Sequence, residues 1–71
     1  MSLVLNVARN YKFLTSFVGS HFASHTSELL QYMASERFYN DVGNAIHYAG
    51  YSFIPACKVA LDCEFKVLSL V

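Results

Sequence analysis

Residues 28–49, ELLQYMASERFYNDVGNAIHYA, form the longest helix-compatible stretch of the chain, with no proline and one internal glycine, Gly43. Sustained apolar recurrence at three- and four-residue steps commits the middle of the chain to α structure. The apolar positions do not keep to one face. In the second half Phe38, Val42, Ala45, Ile46 and Ala49 share a stripe, opposite Glu36, Asn40, Gly43 and His47. In the first half Leu29, Leu30 and Met33 point elsewhere. At about 100° per residue, the apolar face turns by more than a quarter circle between Met33 and Phe38. Such a run must touch two different things. Either it bends or breaks near Ser35, or its first turns pack on a partner chain. The apolar richness of the chain favours the partner.

The flanking segments also read as helices. Over residues 3–18, Val4, Val7, Tyr11, Leu14 and Val18 recur as one buried stripe, with Asn6, Arg9 and Ser16 opposite. Phe13 and Phe17 interrupt that polar side four residues apart, so they share a face and suggest a second contact surface. Gly19 reads as a C-terminal cap, residues 20–26 as a loop, and Thr26 or Ser27 as the next N-cap ahead of Glu28. Gly50 ends the central run, and Pro55 suits the first position of a third helix over 56–70. There Lys58, Asp62 and Lys66 stand at four-residue spacing on a polar side, which predicts Lys58–Asp62 and Asp62–Lys66 pairs. The apolar side holds Val59, Ala60, Cys63, Val67 and Leu70, with Glu64 awkwardly among them. The expectation is an all-α protein, a single domain over 1–71 built as a small helical bundle of two long helices and a shorter third. The alternative is α+β with short terminal strands, because Leu3, Leu5 and Val7 alternate and 64–71 can be read with period two.

Composition narrows the function classes. A chain of 71 residues buries only ~60% of its unfolded surface. This one is 55% hydrophobic and 14% charged, against ~25% charged on average. Its apolar surface therefore points to oligomerisation or to a place in a larger assembly. Zero net charge with no basic cluster excludes phosphate-driven nucleic-acid binding. The N-terminal MSLVLNVARNYK lacks the pattern of a secretory signal. No stretch reaches ~18 uninterrupted apolar residues, the length a membrane span needs. The charge-free runs 13–27 and 42–57 come nearest, interrupted by His21 and His25 in one, by Asn44, His47 and Pro55 in the other. Cys57 and Cys63 lie six apart, a poor disulfide geometry on a helix, and read as buried thiols.

Candidate chemistry is sparse. His21, His25 and Glu28 stand at i, i+4 and i+7, and on a continuous helix they could offer two imidazoles and a carboxylate to zinc or iron. A loop at 20–26 separates them, so no metal site is expected. Glu36, Arg37 and Asp41 read as a solvated face. The glycines are dispersed, which leaves no phosphate-binding loop. Tyr32, Tyr39, Tyr48 and Tyr51 supply apolar rings with polar tips, a combination enriched at interfaces. The expected protein is non-enzymatic, without catalytic, cofactor-binding or metal residues. It is a helical protein–protein interaction module, cytoplasmic, acting as a homo-oligomer or a small regulatory or adaptor subunit. Its interface draws on Phe13, Phe17, Leu29, Leu30, Tyr32 and Met33. The alternative is an accessory subunit of a membrane-embedded, organellar complex, with membrane contact the less favoured partner.

Overall fold

The central run breaks into two helices. The computed structural model describes residues 2–70, and Ala34 and Ser35 separate α3 (Thr26–Met33) from α4 (Glu36–Ala49). Before them come α1 (Leu3–Arg9), α2 (Tyr11–His21) and a single 3₁₀ turn at Ala23–His25; after them comes α5 (Phe53–Ser69). The fold is all-α, with no strand among the described residues. Among the described residues the helix count is corrected to five α-helices, the longest being α5, of 17 residues. The strand alternatives fall as well: Leu3, Leu5 and Val7 lie in α1, residues 64–69 lie in α5, and Val71 lies outside the described residues.

Each break has a local cause. Ser35 turns to an extended conformation, φ −93° and ψ 157°. Its hydroxyl donates back to the Tyr32 carbonyl at 2.6 Å, and its backbone N–H donates to the same oxygen at 3.0 Å. The serine occupies the N-cap position of α4, but its hydroxyl closes α3 and makes no cap bond to α4, which starts with Glu36 against the positive end of its dipole. Asn10 divides the expected first helix. Its side-chain amide donates to the Asn6 carbonyl at 2.9 Å, the oxygen its own backbone N–H also uses. Gly19 does not end α2, which continues to His21. Ser20 lies within the helix, its hydroxyl donating back to the Ser16 carbonyl at 2.7 Å. Neither Thr26 nor Ser27 caps α3. His25 holds that position, and the Thr26 hydroxyl donates to the carbonyls of Phe22 and Ala23. Gly50 does end α4, in the left-handed conformation at φ 73°. Pro55 is the third residue of α5 instead of the first, and the helix begins at Phe53, ahead of the expected start at 56. Ser52 is the cap, and the first helical bond runs from Ala56 N–H to the Ser52 carbonyl at 3.0 Å. The missing proline N–H is one that no helix bond requires.

These breaks fold the chain back on itself. One core gathers Val7 of α1, Leu14 and Val18 of α2, Phe22, Leu29, Tyr32 and Met33 around α3, Phe38 and Val42 of α4, and Ala56, Cys57, Ala60 and Leu61 of α5. Leu29 and Met33 of the first patch and Phe38 and Val42 of the second reach the same interior from either side of the break, while Ile46 and Ala49 of the expected stripe are exposed. The accessible surface is 4578 Å². Scaling gives ~4,500 Å² for a monomer of this mass, so the chain is as compact as a self-sufficient domain.

Two expected stripes are displaced. On α1 and α2 only Val7, Leu14 and Val18 are buried, while Val4 and Tyr11 are exposed. On α5 the inward face is Ala56, Cys57, Ala60 and Leu61, one residue round from the expected stripe. Val59, Cys63, Val67 and Leu70 are left exposed.

Candidate functional site

The polar side chains converge at one place, where α3, α4 and α5 meet. Tyr32 is buried, and its hydroxyl donates to Asp41 Oδ2 at 2.5 Å. The Arg37 guanidinium lies 5.1 Å from the Tyr32 ring centroid and pairs with Glu64 of α5. Glu64 looked misplaced on an apolar side; it faces Arg37 instead of solvent. Burial raises the Tyr32 pKa well above the ordinary phenol value, and the bond to Asp41 and the Asp41 charge raise it further. The group clamps three helices together.

An aromatic cluster closes another edge. Phe22 packs on Phe65 at 4.8 Å between centroids, and His21 stacks on Phe17 at 4.3 Å. Lys58 does not form the expected pair with Asp62. Its ammonium sits 5.6 Å from the Phe13 centroid and 5.3 Å from that of Phe17, a cation–π contact with both rings. Asp62 pairs with Lys66 at 3.1 Å, as its spacing predicts. Of His21, His25 and Glu28, only the last two meet, His25 Nδ1 lying 3.1 Å from Glu28 Oε2. His21 Nδ1 lies 3.2 Å from the Phe17 carbonyl. Among the described residues, no three His, Cys, Asp or Glu side chains are placed to hold a metal ion.

An open groove of about 550 Å³ is lined by Val4, Val7, Ala8, Tyr11, Met33, Ala34 and Tyr39. Its near wall is α1 and the start of α2, its floor the end of α3, its far wall α4. Leu3 anchors the near wall, its Cδ2 lying 4.0 Å from where a β-carbon on Gly43 would stand. The volume is within the ~300–1,000 Å³ of ligand pockets, and the site is a trough open to solvent.

The expected interface residues are dispersed. Leu29, Tyr32 and Met33 are buried in the chain's own core, and Met33 also floors the groove. Leu30 and Phe17 are half-buried against that core, and Phe13 is exposed beside Lys58. What sequence reasoning missed is the groove wall: Val4 and Tyr11 carry a helical period that assigns them inward, and nothing singles out Ala8.

The two cysteines differ. Cys57 is fully buried, and burial pushes its thiol up to about 12. Cys63 is exposed, contrary to the expectation of two core thiols. Iodoacetamide at about pH 8 should therefore alkylate Cys63 alone in the folded protein, and both thiols in denaturant. Two adducts forming at equal rates on the folded chain would contradict the burial of Cys57.

No helix among the described residues is long and apolar enough to cross a membrane. Comparisons with protein-family models, curated proteins and solved structures find no match to this chain.

Proposed function

We propose that this chain is a non-enzymatic helical protein–protein interaction module, working as a homo-oligomer or as a small regulatory or adaptor subunit. One observation carries the reading. Beside an open apolar groove, Val4, Leu5 and Tyr11 are 58%, 62% and 52% exposed, while the core closes without them. Contiguous exposed apolar surface of this kind marks contact sites, and a trough between helices fits the helix-in-groove mode of recognition. The two free thiols, one exposed, suit a reducing cytoplasmic setting.

The double variant Val4→Asp, Leu5→Asp tests this. Both positions are exposed, so circular dichroism should show unchanged helicity. Native mass spectrometry of the wild type should show either a multimer or a stoichiometric partner retained through purification, and the variant should lose it. A wild-type chain that stays monomeric at every concentration and retains no partner would falsify the reading.

A further inference from the structure

The break between α3 and α4 depends on one torsion. Ala34 is already right-handed α at φ −84° and ψ −5°. Ser35, at φ −93°, lies within a few degrees of the helical range, and only its ψ of 157° departs from it. Turning that angle to about −42° makes residues 26–49 one continuous helix. Neither proline nor glycine stands between Met33 and Phe38 to prevent it. Straightening also completes hydrogen bonds. The first N–H groups of α4 lack intrahelical acceptors, and the Ser35 side chain does not cap them. In a continuous helix the carbonyls of Tyr32, Met33 and Ala34 stand four residues behind Glu36, Arg37 and Phe38 and accept from them. Gly50 differs, because its φ of 73° commits the α4–α5 connection to a turn.

Contacts across the break hold it closed. Tyr32 donates to Asp41, nine residues on, and packs edge-on to Phe38. On a straight helix Tyr32 and Asp41 stand about 13 Å apart along the axis, so one chain cannot straighten and keep that bond. Farther out, Phe22 packs on Phe65, and Lys58 sits over Phe13 and Phe17. These contacts all join residues 2–33 to residues 36–70, whereas the Arg37–Glu64 pair lies within the second segment. We propose that the chain forms a domain-swapped dimer hinged at Ser35. Each copy straightens α3 and α4 into one helix and lays its α4 and α5 on α1–α3 of the other, which remakes the contacts of the closed core between chains. The partner is fixed by the fold, since a second copy carries the surface that α1–α3 already fits. The turn of the apolar face between Met33 and Phe38 then serves both forms: folded back, both patches enter one core; straightened, each enters a different one. The swap uses core contacts and not the exposed Val4–Leu5 surface, so it stands apart from the interaction-module reading.

Hinge variants and cross-linking test the swap. Full-length chains are refolded from urea at high concentration, diluted and separated by size. Swapped dimers should persist on dilution, because exchange requires the core to open. Alanine is favoured over glycine inside a helix, and the dimer has two hinges. Ser35→Ala should therefore dimerise about thirtyfold more tightly than Ser35→Gly, with the wild type between them. In the triple variant Phe13→Cys, Lys58→Cys, Cys63→Ser, a short bismaleimide joins two positions that touch across the segments, while Cys57 is too buried to react. On a denaturing gel the dimer fraction should yield covalent dimer, and the monomer fraction only internally linked chains. A dimer fraction whose links stay within single chains overturns the swap, as do equal dimer yields from Ser35→Ala and Ser35→Gly. Ser35→Ala that refolds only to monomer overturns it as well. Val4→Asp, Leu5→Asp should leave the swapped dimer in place while abolishing a contact made through the groove, so the two readings fail separately. Loss of the cross-linkable dimer in that variant also overturns the swap.

Discussion

Replacing Phe38 with alanine is expected to bring the chain close to unfolding at room temperature. Phe38 is completely buried and packs edge-on to Tyr32 at 5.3 Å and to Tyr39 at 5.9 Å. Truncating a buried phenylalanine costs ~3–5 kcal/mol, the lost transfer energy plus the cavity left behind. At ~0.05–0.15 kcal/mol per residue, a chain of this length has about 4–11 kcal/mol in all. Collapse around the missing ring is hindered, because the neighbouring Tyr32 is held by its bond to Asp41 and Leu29 is itself fully buried. In thermal melts followed by far-UV circular dichroism, the midpoint should fall by at least about 12 °C, at ~4 °C or more per kcal/mol for a domain this small. Tyr48→Ala is the control. That side chain is 81% exposed, so its removal should change stability by less than about 0.5 kcal/mol. Equal small effects at the two positions would mean that α4 does not pack through Phe38.

Phe38 also marks where the sequence was readable. Its stripe with Val42 stands out because polar residues surround it on α4, and the same contrast made Gly50 legible as the end of that helix. The break at Ser35 was legible as one of two options. Composition tipped the choice toward a partner chain, but composition carries no information about where a chain can turn. The deciding interaction, the Ser35 hydroxyl returning to the Tyr32 carbonyl, is local. The identity of the residue alone does not reveal it, since serine serves both as a helix cap and in such back-bonds. On α5 the difficulty was different. Small and apolar residues occupy both sides of the helix, so periodicity could not choose between Ala56, Cys57, Ala60, Leu61 and the neighbouring stripe of Val59, Cys63, Val67. The choice is made by contacts far along the chain: Phe65 on Phe22, and Glu64 with Arg37. The groove was hidden for the same reason. It is assembled from four helices, and Val4 and Tyr11 show a core period although both are exposed.

Stability should fall steeply with alkali, and Cys57 and Tyr32 should account for most of the slope. Folded, the Cys57 thiol ionises only at about 12, whereas the same thiol in the unfolded chain ionises near 9. Burial disfavours the thiolate, so the unfolded state releases its proton first. The stabilisation this provides is complete below pH 9 and is lost as pH climbs toward 12, by up to about 1.4 kcal/mol per pH unit. Tyr32 adds a second proton in the same direction. Burial and the bond to Asp41 hold the phenol neutral well above its ordinary value of 10, so its contribution begins to drain above pH 10. By pH 11 the two losses together reach about 4 kcal/mol, comparable with the whole stability of a small domain. Urea midpoints measured from pH 8 to pH 11 should therefore drop, with the slope increasing past pH 10. Cys57→Ala should remove the loss between pH 9 and 10, and Tyr32→Phe the added steepness above it. The slopes, not the absolute midpoints, carry the comparison, since each variant also loses packing or the Asp41 hydrogen bond. A wild type whose midpoint is flat to pH 11, or a Cys57→Ala variant that keeps the wild-type slope from pH 9 to 10, would show that the buried thiol is not what alkali attacks.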